Sequence, residues 1–174
     1  MLPVARTRDE AHLYMDLHGC PQCSNVDVDW AEGLVDEDGV TGRRYHGVCP
    51  GCGARREFVF GLPERPTPPR PGEQVTFGAH RDPSVLFDAG QWLAIADMLA
   101  FAAGLDVPPE ERQESLTIAV ACLDEILKFL PDGSDEPPAS TFWTDAGRAE
   151  RDRDPGRFLR ESLVRYRADL AGRR

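Results

Sequence analysis

Four of the five cysteines form two pairs with identical internal spacing, CPQC at 20–23 and CPGC at 49–52. Two thiolates separated by two residues can bind one metal ion from a tight turn. Two such turns together supply a tetrahedral shell of four sulfurs, which suits Zn²⁺. Four thiolates leave no open coordination position, so such a site is structural rather than catalytic. The candidate metal ligands are Cys20, Cys23, Cys49 and Cys52.

Other chemistries use the same residue types. Four thiolates also bind iron or an iron–sulfur cluster. A fold with such a site can also persist in chains that no longer bind the metal. A redox CxxC motif normally occurs singly beside a βαβ unit. His18 and His46 shortly precede the two pairs and are alternative ligands, although four thiolates already complete a shell. Cys122 lies in an apolar stretch far in sequence from any histidine, which is typical of an inert buried thiol.

The cysteine turns need flanking structure to bring them together. We expect strands at residues 13–17, 26–30, 43–48 and 58–60, because these stretches are apolar or alternate apolar with polar side chains. Turn signals at Asp38-Gly39 and Thr41-Gly42 favour a hairpin with its return strand at 43–48. Gly53 directly follows the second pair, where a metal knuckle often requires positive φ.

The two CPxC pairs resemble the zinc-ribbon class, and more narrowly the bacterial ribbons with proline after the first cysteine of each pair. The resemblance covers residues 12–61 and implies that the four cysteines bind zinc. The interval between the pairs, residues 24–48, is longer than the roughly 15–20 residues of compact zinc motifs. We therefore expect an extended inner hairpin. For residues 62–174 no resemblance is recognised.

The rest of the chain is predicted as a proline-rich linker at 62–81 and a helical region at 82–174. Proline-rich runs favour extended geometry and are excluded from helix interiors. Asp82-Pro83 has the pattern of a helix start, and Asp88 and Gly104 are the expected N-cap and stop of the next helix. Apolar periodicity predicts helices at 89–103, 109–130 and 155–170, with a long loop at 131–152 that Phe142 and Trp143 attach to the core. The fold class is thus α+β, a zinc-ribbon β-hairpin unit at 1–61 followed by a small helical unit.

The charge balance limits the classes of partner. The formal net charge is −10 and the sequence pI about 4.8, which argues against a general duplex-DNA binder. A basic and aromatic cluster could still contact single-stranded nucleic acid, although residues 1–61 hold 6 basic and 10 acidic side chains. That candidate nucleic-acid surface consists of Arg43, Arg44, Tyr45, Arg55 and Arg56.

The helical region is polarised by charge. Residues 82–130 carry 9 acidic and 2 basic side chains, whereas residues 131–174 carry 9 of each. A row of arginines in the last helical segment either pairs with the acidic middle helices of the same chain or offers a surface to an acidic partner. These arginines are Arg153, Arg157, Arg160 and Arg167.

We expect a non-enzymatic, zinc-stabilised interaction protein, an adaptor, regulator or immunity-type partner of another protein inside a bacterium. The alternatives are a nucleic-acid-associated ribbon and, with less support, an enzyme whose site lies between ribbon and helices. We assign no catalytic residue, because no phosphate-binding glycine loop, nucleophile elbow or His-Glu metal helix occurs. The start of the sequence lacks a signal-peptide core and no apolar run is long enough to span a membrane, so we expect a cytoplasmic protein without membrane contact.

Overall fold

The chain divides into two compact units. The structure is a computed structural model that describes residues 2–37, 39–68 and 74–174. The first unit comprises residues up to 68 together with Phe77–Ala79, and the second unit the remaining described residues from 74 onward. The predicted linker 62–81 is thereby shared between both units. Its residues 69–73 and the predicted turn residue Asp38 lie outside the described residues.

The predicted α+β fold class is confirmed. The first unit holds one helix and a three-stranded antiparallel sheet, and the second unit is helical. Among the described residues no helix combines the length and the apolar character that crossing a bilayer requires. The elements of the first unit are α1 (Arg8–Leu17), β1 (Ala31–Glu37), β2 (Val40–Val48) and β3 (Arg55–Gly61). Those of the second are α2 (Ala89–Ala102), α3 (Pro109–Leu127), α4 (Asp145–Arg153) and α5 (Arg160–Gly172), with 3₁₀ turns at Ala139–Thr141 and Pro155–Phe158.

The sheet has the order β1-β2-β3, and the predicted return strand 43–48 is part of β2. The hairpin register pairs Glu37 with Val40, and Gly39 takes the left-handed φ of 79° that the turn signal predicted. Two expectations are wrong. The first hairpin strand begins at Ala31 rather than spanning 26–30, and Thr41-Gly42 belongs to β2 rather than to a turn. Pairing with β2 sets these limits, because a strand extends only as far as its ladder partner.

The prediction of a strand at 13–17 is also wrong, because these residues belong to α1. Thr7 caps this helix: its Oγ1 accepts the N–H of Glu10 at 3.1 Å. The Glu10 carboxylate in turn accepts the backbone N–H of Arg6 at 2.7 Å. This pattern of threonine followed three residues later by glutamate is a helix-start signal that outweighs the strand-like composition of 13–17.

Replacing Glu10 with glutamine is expected to destabilise the first unit by about 3 kcal/mol, because it removes the buried negative charge that pairs with the largely buried guanidinium of Arg6. The Glu10 side chain is fully buried and lies 2.6 Å from Nη2 of Arg6, which is 11% exposed. Urea unfolding followed by the NMR signals of the first unit measures the effect. Glu37→Gln, at an exposed position, is the control and should change stability by less than about 0.5 kcal/mol. If the two substitutions lowered the free energy of unfolding equally, the buried pair of Arg6 and Glu10 would make no specific contribution to stability.

The second unit contains the two central helices where periodicity predicted them. Asp88 caps α2 as expected, and α3 begins at Pro109. The α3 helix ends at Leu127, three residues earlier than predicted, because its last N–H groups bond three residues back rather than four. Asp82-Pro83 does not begin a helix, since the first helix of this unit begins at Ala89.

The predicted loop 131–152 is partly helical. It contains the 3₁₀ turn Ala139–Thr141 and most of α4, and the last predicted helix is divided into a 3₁₀ turn and α5. Phe142 is buried and its ring lies 4.9 Å from that of Phe158, as the predicted attachment to the core requires. Trp143 is 41% exposed, and its ring centroid lies 6.0 Å from that of Phe129.

Candidate metal centre

The first cysteine pair lies in a tight turn closed by its own backbone. The N–H of Cys20 donates to the carbonyl of Asn25 at 2.8 Å, and the N–H of Ser24 donates to the carbonyl of Cys20 at 2.7 Å. Ser24 has a φ of 60°, the left-handed conformation that such a turn needs. A Cβ at Gly19 would lie 2.8 Å from the carbonyl oxygen of Ser24, so the chain closes here only with glycine.

The second pair repeats this turn. The N–H of Cys49 donates to the carbonyl of Ala54 at 2.9 Å, and the N–H of Gly53 donates to the carbonyl of Cys49 at 2.9 Å. Gly53 has the predicted positive φ, 75°. A Cβ at Gly51 would lie 3.0 Å from Sγ of Cys23, which belongs to the other turn. The two turns therefore face each other closely.

The four predicted ligands converge on one point. Their Sγ atoms all lie within 4.8 Å of one another, with 3.5 Å between Cys20 and Cys52 and 3.4 Å between Cys23 and Cys49. A tetrahedral zinc–thiolate site with bonds of about 2.3 Å places its sulfurs roughly 3.8 Å apart. Disulfides require about 2.05 Å, and all four cysteines are free. This cluster can hold a metal ion.

The surroundings of the cluster favour ionisation of one cysteine but disfavour ionisation of several at once. The N–H of Gln22 and hydrogen bonds within the cluster lower the pKa of Cys20 to about 6, against the effect of burial. The N–H of Ala54 lowers the pKa of Cys52, but burial and the neighbouring thiols outweigh it and raise that pKa to about 12. Four sulfurs this close ionise together only beside a cation, because the charges repel one another. A divalent metal supplies the missing positive charge.

His18 is not part of the cysteine cluster and makes contacts of its own. Its Nδ1 lies 2.7 Å from the carbonyl oxygen of Tyr14, and the two rings stack at 4.0 Å. The carbonyl of His18 accepts a 2.6 Å hydrogen bond from Arg56, which lies over the rings of Trp30 and Phe58 at 5.9 and 5.4 Å. In the part of the chain that the structure describes, the metal-capable cluster consists of the four cysteines, without a histidine.

The candidate nucleic-acid surface is divided between the surface and the core. Tyr45 is fully buried and Arg56 is 8% exposed, so neither presents its side chain to solvent. Arg55 is exposed. A ring that packs in the core cannot stack on a base. Sequence alone did not show this, because Tyr45 directly follows Arg43 and Arg44 in a strand whose faces alternate.

The remaining basic residues of that surface have acidic neighbours. Arg43 lies 3.3 Å from Glu32 on β1, and Arg44 lies 3.0 Å from Glu57 on β3. His46 is exposed on β2 opposite Glu57 in the strand register. These cross-strand pairs offset the positive charge of the sheet.

Two of the four arginines in the predicted row bind acids of the middle helices. Arg157 contacts both carboxylate oxygens of Asp97 at 2.6 and 2.7 Å, and Nη2 of Arg167 lies 3.0 Å from Asp124. Tyr166 also donates to Asp97, at 2.9 Å. Burial and the Asp97 charge raise the pKa of Tyr166 to about 12. The sequence did not predict the contact between Tyr166 and Asp97, because the two residues are 69 positions apart in the chain.

The other two arginines do not bind acids of the middle helices. Arg153 pairs with Glu150 on its own helix at 2.6 Å, and Arg160 donates to the carbonyl of Ser134 at 3.0 Å. The arginines of the row therefore bind carboxylate or carbonyl groups of the second unit itself. Cys122 is fully buried in α3, and burial raises the pKa of its thiol well above the ordinary value, which matches the prediction of an inert thiol.

Comparison of the chain with protein-family models, with curated proteins and with solved structures gave no match. The resemblance to zinc ribbons therefore depends on the cysteine pairs and their two turns alone.

Proposed function

We propose that this chain is a non-enzymatic interaction protein. Structural zinc holds its first unit together, and its second unit binds a basic segment of another protein. The observation that carries the proposal is an apolar row on α2 and the turn after it, formed by Met98, Phe101 and Leu105. They are 50%, 72% and 49% exposed, at spacings of three and four residues that place Met98 and Phe101 on one helix face.

The proposal of zinc rests on the donor set. Four thiolates without a carboxylate or water position are soft ligands in a closed tetrahedral arrangement, which suits Zn²⁺ in a structural role. Iron shares this ligand set, and its thiolate complexes are coloured whereas those of Zn²⁺ are not. The absorbance spectrum of the purified protein therefore distinguishes the two metals.

An acidic surface adjoins the apolar row. A short turn joins α2 to α3, so the end of α2 and the start of α3 lie at the same end of the second unit. Four acidic residues here are exposed, and the structure gives none of them an ion pair within the described chain. They are Asp106, Glu110, Glu111 and Glu114. Unpaired carboxylates beside exposed apolar side chains complement a segment that is both basic and amphipathic.

Fluorescence anisotropy with a labelled lysine- and leucine-rich helical peptide tests the proposal. We expect binding that weakens as salt is raised, because the carboxylates contribute through screened charge. Phe101→Ser should weaken binding about tenfold, since burying a phenylalanine contributes roughly 1.5–3 kcal/mol and 1.4 kcal/mol corresponds to a factor of ten.

Val164→Ser is the matched control, because Val164 is 49% exposed on α5, a different helix. It should leave binding of the peptide unchanged. The proposal fails if both serine variants bind equally, or if a glutamate- and leucine-rich peptide binds as tightly as the basic one.

A further inference from the structure

The strand β1 is an outer strand of the sheet, and its outer edge is unpaired. The order β1-β2-β3 pairs β1 on one side only, along seven consecutive residues without a bulge. Among the described residues, the backbone of β1 makes no hydrogen bond except those with β2. The opposite outer strand differs, because the N–H of Gly61 at the end of β3 donates to the carbonyl of Pro3 at 2.8 Å.

The hairpin geometry identifies the backbone groups that face outward. Only two residues separate the paired Glu37 and Val40. In such a tight hairpin the closing pair exchanges both of its backbone hydrogen bonds, and hydrogen-bonded and non-bonded pairs then alternate along the ladder. The N–H and C=O groups that point away from β2 are therefore those of Glu32, Leu34 and Asp36. All three residues are exposed.

This edge has few of the features that keep outer strands from pairing with other chains. It contains no proline, lysine or arginine, and its ladder with β2 is regular. Leu34, at its centre, is 66% exposed. An open edge with an apolar side chain at its centre can bind an extended segment by adding it to the sheet as a strand.

The charge along the edge is uneven. Near its start, the carboxylate of Glu32 already contacts Arg8 and Arg43, at 3.6 and 3.3 Å. At its end, Asp36 and Glu37 are exposed, and neither has an ion pair within the described chain. An added strand with basic residues beside these two acids would gain cross-strand pairs of opposite charge.

A second copy of this chain fits the edge poorly. Antiparallel pairing of two β1 strands centred on Leu34 would place Asp36 of each strand opposite Glu32 of the other. Parallel pairing in register would place identical acids side by side. Like charges directly opposite each other destabilise a sheet, so the charges favour a different, basic chain.

We propose that the outer edge of β1 binds an extended basic segment of another protein as a fourth strand. The backbone of Glu32, Leu34 and Asp36 exchanges hydrogen bonds with the segment. An apolar side chain of the segment packs on Leu34, and its arginine or lysine side chains lie beside Asp36 and Glu37. This edge belongs to the first unit, so the proposal does not depend on the helical segment that we propose for the second unit.

Fluorescence anisotropy of the intact protein with a labelled peptide tests the proposal. The peptide has two arginines followed by alternating valine and threonine, which favours an extended strand. We expect it to bind at least about fivefold more tightly than a peptide with glutamates in place of the arginines, because two cross-strand pairs change sign. Equal affinity of the two peptides, or no binding of the arginine peptide, overturns the proposal.

Amide hydrogen exchange measured by NMR distinguishes an added strand from loose attraction of charges. Bound peptide should slow exchange at the N–H groups of Glu32, Leu34 and Asp36, which are otherwise unbonded. The N–H groups of Gly33 and Val35 already bond to β2 and should be less affected. Without slowing at the three outward positions, no strand is added.

Leu34→Pro should weaken binding of the arginine peptide at least about tenfold. It removes an N–H that points away from β2, and proline is tolerated at such positions of outer strands. The NMR spectrum of the variant shows whether the hairpin is retained. Unchanged affinity with an intact hairpin contradicts the proposal. A free protein that is dimeric by sedimentation, and that this substitution makes monomeric, would show instead that a second copy occupies the edge.

Asp36→Asn should weaken binding of the arginine peptide about threefold. Oδ1 of the asparagine can still accept the N–H of Gly39, as the carboxylate does at 3.0 Å, so the turn is kept. Asp152→Asn is the matched control, because Asp152 is an exposed acid on α4 in the second unit. It should leave binding unchanged, and equal losses in the two asparagine variants would overturn the assignment.

Discussion

Cys49→Ser is expected to abolish stoichiometric zinc binding and to unfold the first unit while the second unit stays folded. Cys49 is fully buried, its carbonyl and N–H close the second turn, and its Sγ lies 3.4 Å from that of Cys23. Structural zinc sites contribute roughly 10 kcal/mol or more of apparent binding free energy, most of which is coupled to folding. Metal analysis by mass spectrometry and the NMR spectrum of each unit measure the two effects.

Cys122→Ser is the matched control, because it also removes a buried thiol but lies on α3. It should keep about one equivalent of zinc and lower the stability of the second unit alone, by roughly 1–2 kcal/mol for a buried hydroxyl. Unaltered zinc content and an intact first unit in Cys49→Ser would refute the metal centre.

Asp88→Ala is expected to destabilise the second unit by about 3 kcal/mol, because one buried carboxylate serves two helix starts. Its Oδ1 accepts the N–H of Gln91 at 2.8 Å, which caps α2. Its Oδ2 accepts both the N–H and the hydroxyl of Thr144, the N-cap of α4, at 2.8 and 2.7 Å. Urea unfolding followed by the NMR signals of the second unit measures the loss.

Asp145→Ala provides the comparison for this prediction. Asp145 is the first residue of α4 and its side chain is fully exposed in an ion pair with Arg148. Its removal should cost less than about 0.5 kcal/mol, as is usual for exposed pairs. If Asp88→Ala were no more destabilising than Asp145→Ala, Asp88 would not join the two helices.

The second unit shows which elements local sequence can predict. The start of α2 and the apolar faces of α2 and α3 follow from residues that are neighbours in sequence, an aspartate cap and a period of 3.6. The α4 helix has no comparable apolar face. It depends on Thr144 contacting Asp88, 56 residues earlier, and on the close approach of Gly90 and Gly147. Such long-range contacts leave no periodic signal.

The first unit shows a local signal that composition concealed. Residues 13–17 resemble a strand, but Thr7 and Glu10 already mark a helix start before them. The first hairpin strand was predicted five residues too early, because alternation at 26–30 carries no information about which residues find a partner across the turn.

The candidate metal centre was predictable because its information is local. Each turn is closed by hydrogen bonds within six residues, so the spacing of each pair already defines its geometry. The burial of Tyr45 could not be predicted in the same way, nor could the positions of Glu32 and Glu57 beside the sheet arginines. They depend on which face of the sheet α1 covers, and that face is set by tertiary packing.

Zinc K-edge X-ray absorption of the protein purified under reducing conditions identifies the atoms bound to the metal. We expect about one zinc ion per chain, with four sulfur neighbours at about 2.3 Å and no bound nitrogen or oxygen. Nitrogen or oxygen ligands in place of sulfur, or protein that stays metal-free and folded in the presence of zinc, would contradict this expectation.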